Sequence, residues 1–118
     1  MSTRMENNSI SFKNEAIFHE GEPGNETMYL IKKGTVEISK DGILIARIGP
    51  GEPVGEMSLL LEESRTATVR AIGDVEALEI TGKNFAEILS KEPGIGWIIM
   101  KALAKRLKDT TTALVKAQ

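Results

Sequence analysis

Cysteine is absent from the 118 residues of this chain, and histidine occurs only once, at position 19. Disulfide bonds, thiolate metal sites and cysteine nucleophiles are therefore excluded. One histidine does not supply the cluster of ligands that a zinc or iron centre needs. Because Cys and His ligands are scarce, a metal-dependent enzyme is disfavoured, and we expect no catalytic residues, no metal and no bound cofactor. Aromatic residues are also scarce, at only 4% of the chain.

The sequence also lacks an excess of one charge and any long apolar run. Its formal net charge is −2, which gives no overall attraction to nucleic acid or to anionic membranes. The apolar stretches are far shorter than a membrane span, and residues 1–8 lack the apolar core of a signal peptide. We therefore predict a cytoplasmic protein that binds neither nucleic acid nor membrane through this chain.

Short strands separated by turns are predicted over the first two thirds of the chain. Apolar and polar residues alternate from Val36 to Ser39, which is the period of a half-buried strand. The Asp41–Gly42 pair that follows is typical of a tight hairpin, and glycines recur at further turns. This pattern favours an antiparallel β-barrel of the jelly-roll, cupin-like kind.

The pattern changes to helical near Thr81, which is a candidate N-cap. Residues 83–91 have apolar side chains at helical spacing, and residues 95–117 are rich in Ala, Leu and Lys, which predicts one long C-terminal helix. We therefore predict a mainly β fold with C-terminal helices. A single domain is placed over residues 1–118, with the barrel at about 9–80 and the helices at about 82–117.

The predicted long helix carries an apolar seam with the spacing of a coiled coil. Its members are Met100, Leu103, Leu107, Thr110, Leu114 and Ala117. Ile98, Ile99 and Ala102 lie on a neighbouring face that is free to pack on the barrel, and Trp97 is predicted to anchor the helix there. A seam in addition to a core face favours a homodimer through the C-terminal helix. The alternative is one wide stripe buried against the barrel.

The segment from Gly55 to Val69 has the character of an anion site. Gly55 opens a short apolar helical run, so the backbone N–H groups of Glu56 to Ser58 are predicted to be free and to face outward. Arg65 follows at the entry to a strand, where a guanidinium is able to make a charge-assisted bond to a phosphate oxygen. A carboxylate at Glu56 is unexpected beside an anion, unless it accepts a hydrogen bond from another part of the ligand.

This segment resembles the phosphate-binding cassette of the cyclic-nucleotide-binding domain family, which includes catabolite activator proteins and regulatory subunits of cAMP-dependent kinase. The family pattern is Gly-Glu, a few mostly apolar residues, a short turn, and then Arg, a small residue, Ala and Thr or Ser. Residues 20–24, 33–34 and 49–51 also fall where that family has its turns. The resemblance covers about residues 17–107.

The resemblance implies a role for each matching residue. Glu56 is expected to bind the ribose 2′-hydroxyl and Arg65 the cyclic phosphate. The run of residues 106–111 is similar to the stretch of bacterial catabolite activators whose Thr-Ser pair meets the adenine, which implicates Thr110 and Thr111. The expected binding residues are Gly55, Glu56, Met57, Ser58, Arg65, Thr66, Ala67, Thr110 and Thr111.

The function that the resemblance implies is a regulatory module that binds a cyclic nucleotide and relays its occupancy to the C-terminal helix. Cyclic AMP is favoured, and cyclic GMP stays open because Thr66 is compatible with both. One alternative is a degenerate domain of the same fold that serves only for dimerisation or docking. The other is a cupin-like enzyme, which the shortage of metal ligands disfavours.

Overall fold

The structure, a computed structural model, describes residues 2–5 and 7–117, except for the side chains of residues 113, 116 and 117. In chain order the elements are β1 (Thr3–Arg4), β2 (Ser9–Lys13), β3 (Ala16–Phe18), β4 (Thr27–Lys40), β5 (Ile43–Ile48), β6 (Pro53–Val54), α1 (Glu56–Leu60), β7 (Thr68–Thr81), α2 (Phe85–Lys91) and α3 (Pro93–Ala117). The predicted class, mainly β with C-terminal helices, is confirmed.

The sheet is built on its two longest strands, β4 and β7, which pair antiparallel along most of their length. The strand order is β1-β2-β7-β4-β5, while β3 also pairs with β7 and β6 with β4. In the part of the chain that the structure describes, β1 and β5 are edge strands, so the hydrogen-bonded sheet is not closed into the predicted barrel. The two-residue β1 is too short to extend the ladder around to β5.

The turn between β4 and β5 confirms the hairpin prediction. Asp41 and Gly42 both have positive φ, 52° and 78°, which is the conformation of the type I′ turns that suit the twist of paired strands.

Two buried apolar clusters hold the fold together. One lies among the strands and includes Phe12, Phe18 and Val36. The other joins Met28 and Ile80 of the sheet to side chains of α2 and α3. Burial of each such aliphatic side chain stabilises the folded state by about 1.5–3 kcal/mol. Because the second cluster contains side chains of both the sheet and the helices, its burial holds the helices on the sheet.

The first short helix after the sheet, α2, begins later than predicted. Its N-cap is Asn84, and Thr81 is instead the last residue of β7, where its hydroxyl accepts a hydrogen bond from the Asn84 amide at 3.1 Å. Helix α3 begins at Pro93, a residue that is well suited to the first helical turn because its missing N–H has no partner there in any case.

The packing of α3 corrects two predictions. Ile95 and Ile99 are buried and Leu103 packs beside them, so residues spaced four apart contact the sheet. Trp97 is 66% exposed and is not an anchor, because at about 100° per residue it projects away from Ile95 and Ile99. Leu103 therefore packs on the core and is not part of the predicted seam. Ala117, the last residue of that seam, has a side chain outside the described part of the chain. No described helix is long and apolar enough to cross a membrane.

Candidate functional site

Gly55 sits at the junction of β6 and α1 in a conformation that few other residues adopt. Its φ is +75°, and a Cβ atom added to it would lie 2.5 Å from Nη1 of Arg65 and 3.1 Å from the Phe18 ring. The absence of a side chain therefore permits both the left-handed backbone and the close approach of the arginine.

Arg65 is buried, with only 6% of its surface exposed. Its Nη1 donates to the carbonyl of Thr27 at 2.7 Å and to that of Gly55 at 3.3 Å. The guanidinium carbon lies 4.1 Å from the centre of the Phe18 ring, a cation–π arrangement. These neutral contacts fix the position of the side chain without cancelling its charge.

The same guanidinium has binding capacity left over. Its Nε is buried without a hydrogen-bond partner in the structure as described, and none of the described carboxylates lies within ion-pair distance of it. Burial lowers the pKa of Arg65, and the charge of Glu22 only partly opposes this shift. An arginine stays protonated nonetheless. A buried cation with an unsatisfied donor is costly unless an anion is bound.

Glu56 lies on α1, is buried, and faces α3. Its Oε1 accepts a hydrogen bond from Nη1 of Arg106, while Nη2 of Arg106 donates to the Pro53 carbonyl at 2.6 Å and to Glu52 at 3.3 Å. The other carboxylate oxygen of Glu56 has no hydrogen bond to a described residue. It is therefore the oxygen available to a ligand hydroxyl.

Arg106 is the site residue that the sequence reasoning missed. It lies in the run 106–111, in which only the two threonines were assigned a role. The sequence contains one indication that Arg106 has a specific role. It is the only arginine in a long helix whose other basic residues are lysines. Its partners lie about 50 residues earlier in the chain, and only the docking of α3 on the sheet brings them together.

A pocket of about 280 Å³ opens between these charged groups and an apolar wall. The wall comes from Phe18, Ile38, Val54 and Val69. The other described residues that line it are Gly55, Glu56, Met57, Ser58, Arg65, Thr66, Ala67 and Arg106. Every expected binding residue from the 55–67 segment therefore lines one pocket, although their individual contacts with a ligand stay predictions.

Fewer backbone N–H groups are free at the start of α1 than the sequence predicts. The Ser58 N–H donates to the Gly55 carbonyl at 3.2 Å, because α1 opens with a tight turn. Thr110 and Thr111 are exposed on α3 and are not among the described residues that line the pocket. Thr110 is one helical turn beyond Arg106 and so lies on the pocket side of α3; its contact with a base stays a prediction.

Comparison with known proteins places this geometry in a family. The family model described as "Cyclic nucleotide-binding domain" matches residues 12–92. The Cyclic AMP receptor protein of Thermus thermophilus is 31% identical over 103 residues, which cover 83% of this chain and 47% of that protein. Lysophospholipase NTE1 of Chaetomium globosum is 35% identical over 99 residues, which cover 80% of this chain and 6% of that protein.

A solved structure is similar as well. The crystal structure of Thermus thermophilus Catabolite Activator Protein superimposes with a TM-score of 0.74 at 29% identity, covering 92% of this chain and 54% of that one. The chain therefore belongs to the cyclic-nucleotide-binding domain family, and it is a regulatory ligand-binding domain of that family. It spans about half of the first of these relatives and a small fraction of the second.

Proposed function

We propose that this domain binds cyclic AMP and relays its occupancy to α3. The observation that carries the proposal is the buried guanidinium of Arg65, which has an unpaired Nε and no carboxylate partner among the described residues. A cyclic phosphate supplies the missing anion. The preference for cyclic AMP is supported by the relative named as a cyclic AMP receptor.

The relay runs through Arg106. Because Arg106 binds one oxygen of Glu56, it leaves the other oxygen for the ribose 2′-hydroxyl. The same guanidinium offsets the carboxylate charge that would otherwise repel the phosphate. Any ligand that shifts Glu56 therefore shifts the favoured position of Arg106 and of the helix that carries it.

Isothermal titration tests the ligand and the role of Glu56 together. The parent domain is expected to bind cyclic AMP more tightly than cyclic GMP, and to bind cyclic AMP more tightly than its 2′-deoxy analogue. Glu56→Gln keeps the size of the side chain, so it should reduce the preference for the 2′-hydroxyl while leaving the fold intact. A parent domain that gives no binding heat with either nucleotide would support the alternative of a domain used only for dimerisation or docking.

The exposed residues of α3 support a homodimer, in a register different from the one first expected. Trp97, Met100, Leu107 and Leu114 are all at least 60% exposed. With the exposed Ala104 and Thr111 they follow the alternating spacing of a coiled coil. In this register Thr111 lies in the seam and faces the partner helix, while Thr110 stays on the pocket side of its own chain. A homodimer through α3, acting in the cytoplasm, completes the proposal.

A further inference from the structure

The outward face of α1 is apolar, although α1 forms one wall of the nucleotide pocket. Met57, Leu60 and Leu61 are spaced three and four residues apart and are 44%, 49% and 60% exposed. Their spacing places them on one face. The residues that face inward, Glu56 and Ser58, are buried. Of the three outward residues only Met57 also reaches the pocket, so nucleotide binding gives no reason for Leu60 and Leu61 to be apolar.

Carboxylates border this face, and none of the described cations forms an ion pair with them. Glu62 and Glu63 follow it directly, and Glu26 from the turn before β4 meets them in a cleft of about 270 Å³. None of the three forms an ion pair within the described part of the chain, where the ion pairs involve other residues. Like charges held together repel each other, so the border is complementary to a positively charged partner.

The cleft and the nucleotide pocket share one wall. Ser58 lines both, and the backbone of Gly24 is pressed against it. A Cβ atom added to Gly24 would lie 2.5 Å from the Ser58 hydroxyl and 2.5 Å from the Glu63 carbonyl. Because close-packed atoms transmit displacements to their neighbours, a movement of α1 at Ser58 also moves the residues packed against it. A ligand that repositions Ser58 from the pocket side therefore also changes the cleft.

We propose that Met57, Leu60 and Leu61, with Glu26, Glu62 and Glu63, form a docking face for a basic amphipathic segment of a partner protein. The leucines contact the apolar side of that segment, and the carboxylates pair with its lysines or arginines. The face is defined by its own residues. Only its coupling to nucleotide rests on the proposed function, and linkage requires that such coupling act equally in both directions.

A designed helical peptide serves as the probe. It carries leucines at helical spacing flanked by lysines, and fluorescence anisotropy measures its binding to the full chain. We expect binding that weakens with salt and that falls about thirtyfold, the effect of losing an interface hot spot, in Leu60→Ser/Leu61→Ser. Ile43→Ser is the matched control, since Ile43 is an exposed apolar residue of the β4–β5 hairpin and not part of the proposed face, and it should bind as the parent does. A peptide with glutamates in place of the lysines should not bind.

Three outcomes would overturn the docking face. These are equal loss in the Ile43→Ser control, undiminished binding by the double variant, and binding of the glutamate peptide. Light scattering adds a fourth, because self-association that Leu60→Ser/Leu61→Ser abolishes would assign the face to a second copy of the chain.

The coupling has its own readout. Saturating cyclic AMP should change the peptide affinity of the parent, and the double variant should keep the parent's affinity for cyclic AMP. If cyclic AMP does not bind at all, the proposed function fails while the peptide measurements without nucleotide still decide the docking face. Peptide binding that is unchanged by bound nucleotide would refute the coupling alone.

Discussion

Replacing Arg65 by alanine perturbs the site at the group on which the proposed function depends. The guanidinium is positioned by the Thr27 and Gly55 carbonyls and by the Phe18 ring, so it does not have to be ordered when a ligand arrives. A hydrogen bond to a charged group contributes about 1.5–3 kcal/mol, which corresponds to a loss of roughly 10- to 150-fold in affinity for cyclic AMP.

The effect of this change on stability should be smaller than its effect on binding. The variant leaves the Thr27 carbonyl without its 2.7 Å donor, which costs about 1–3 kcal/mol when the group is buried. It also removes a buried cation that has no carboxylate partner among the described residues, and this removal offsets part of the cost. Without nucleotide we therefore expect a melting temperature only a few degrees below that of the parent.

The assay is thermal unfolding with and without nucleotide, together with titration calorimetry. Ligand at about 100 times its dissociation constant stabilises the folded state by about 2.7 kcal/mol, and the variant should lose most of this gain at the same concentration. Arg70→Ala is the matched control, because Arg70 is an exposed arginine on β7, five residues beyond Arg65, and among the described residues its guanidinium bonds only the Asn14 carbonyl. If Arg65→Ala bound cyclic AMP as tightly as Arg70→Ala, the assignment of the phosphate site would be wrong.

Three further changes test other parts of the site and the helix. Arg106→Ala should weaken cyclic AMP binding by up to about fivefold, because a partly exposed charge pair contributes about 0.2–1 kcal/mol, and should lower the preference over 2′-deoxy cyclic AMP. An unchanged preference in calorimetry would contradict its role in positioning Glu56. Gly55→Ala should lower both the melting temperature and the affinity. Gly51→Ala should affect stability alone, since Gly51 also has positive φ but a Cβ atom added there would have no described atom within 4 Å. Equal affinity loss in the two would rule out the clash with Arg65. Leu107→Glu should halve the mass measured by light scattering, whereas Thr112→Glu, which adds the same charge off the seam, should not; a parent that is monomeric at high concentration would disprove the dimer.

Local features of this fold could be predicted from sequence because they depend on few neighbours. The Asp41–Gly42 turn needs two residues that tolerate positive φ. The segment from Gly55 to Ala67 carries its glycine, carboxylate and arginine close together in the chain, and all of them line one pocket. In both cases the physical requirement is met within a short stretch, so the pattern of residue types indicates the structure directly.

Features that depend on how α3 lies on the sheet could not be predicted in the same way. The spacing of apolar residues allows two seams, one through Leu103 and one through Ala104, and only the burial of Ile95 and Ile99 decides between them. The same orientation exposes Trp97 and turns Arg106 toward Glu56. The periodicity of apolar residues identifies the faces of a helix but not which face packs on the core. A residue such as Arg106, whose partners are distant in sequence, has no neighbouring residues that indicate its role.

The size of the relay to α3 is limited by the contact that carries it. Arg106 is about one third exposed, and pairs of partly solvated charges contribute about 0.2–1 kcal/mol. A ligand acting only through this pair could shift a helix equilibrium by no more than about fivefold. A larger response needs a second contact, and the exposed seam of α3 supplies one. When two helices paired through this seam move together, the free energies contributed by the Arg106–Glu56 pairs of both chains add. We therefore expect cyclic AMP to alter the hydrogen exchange of α3 more in the parent dimer than in the Leu107→Glu monomer. An equal change in both would mean that the relay is complete within one chain and that the seam serves assembly alone.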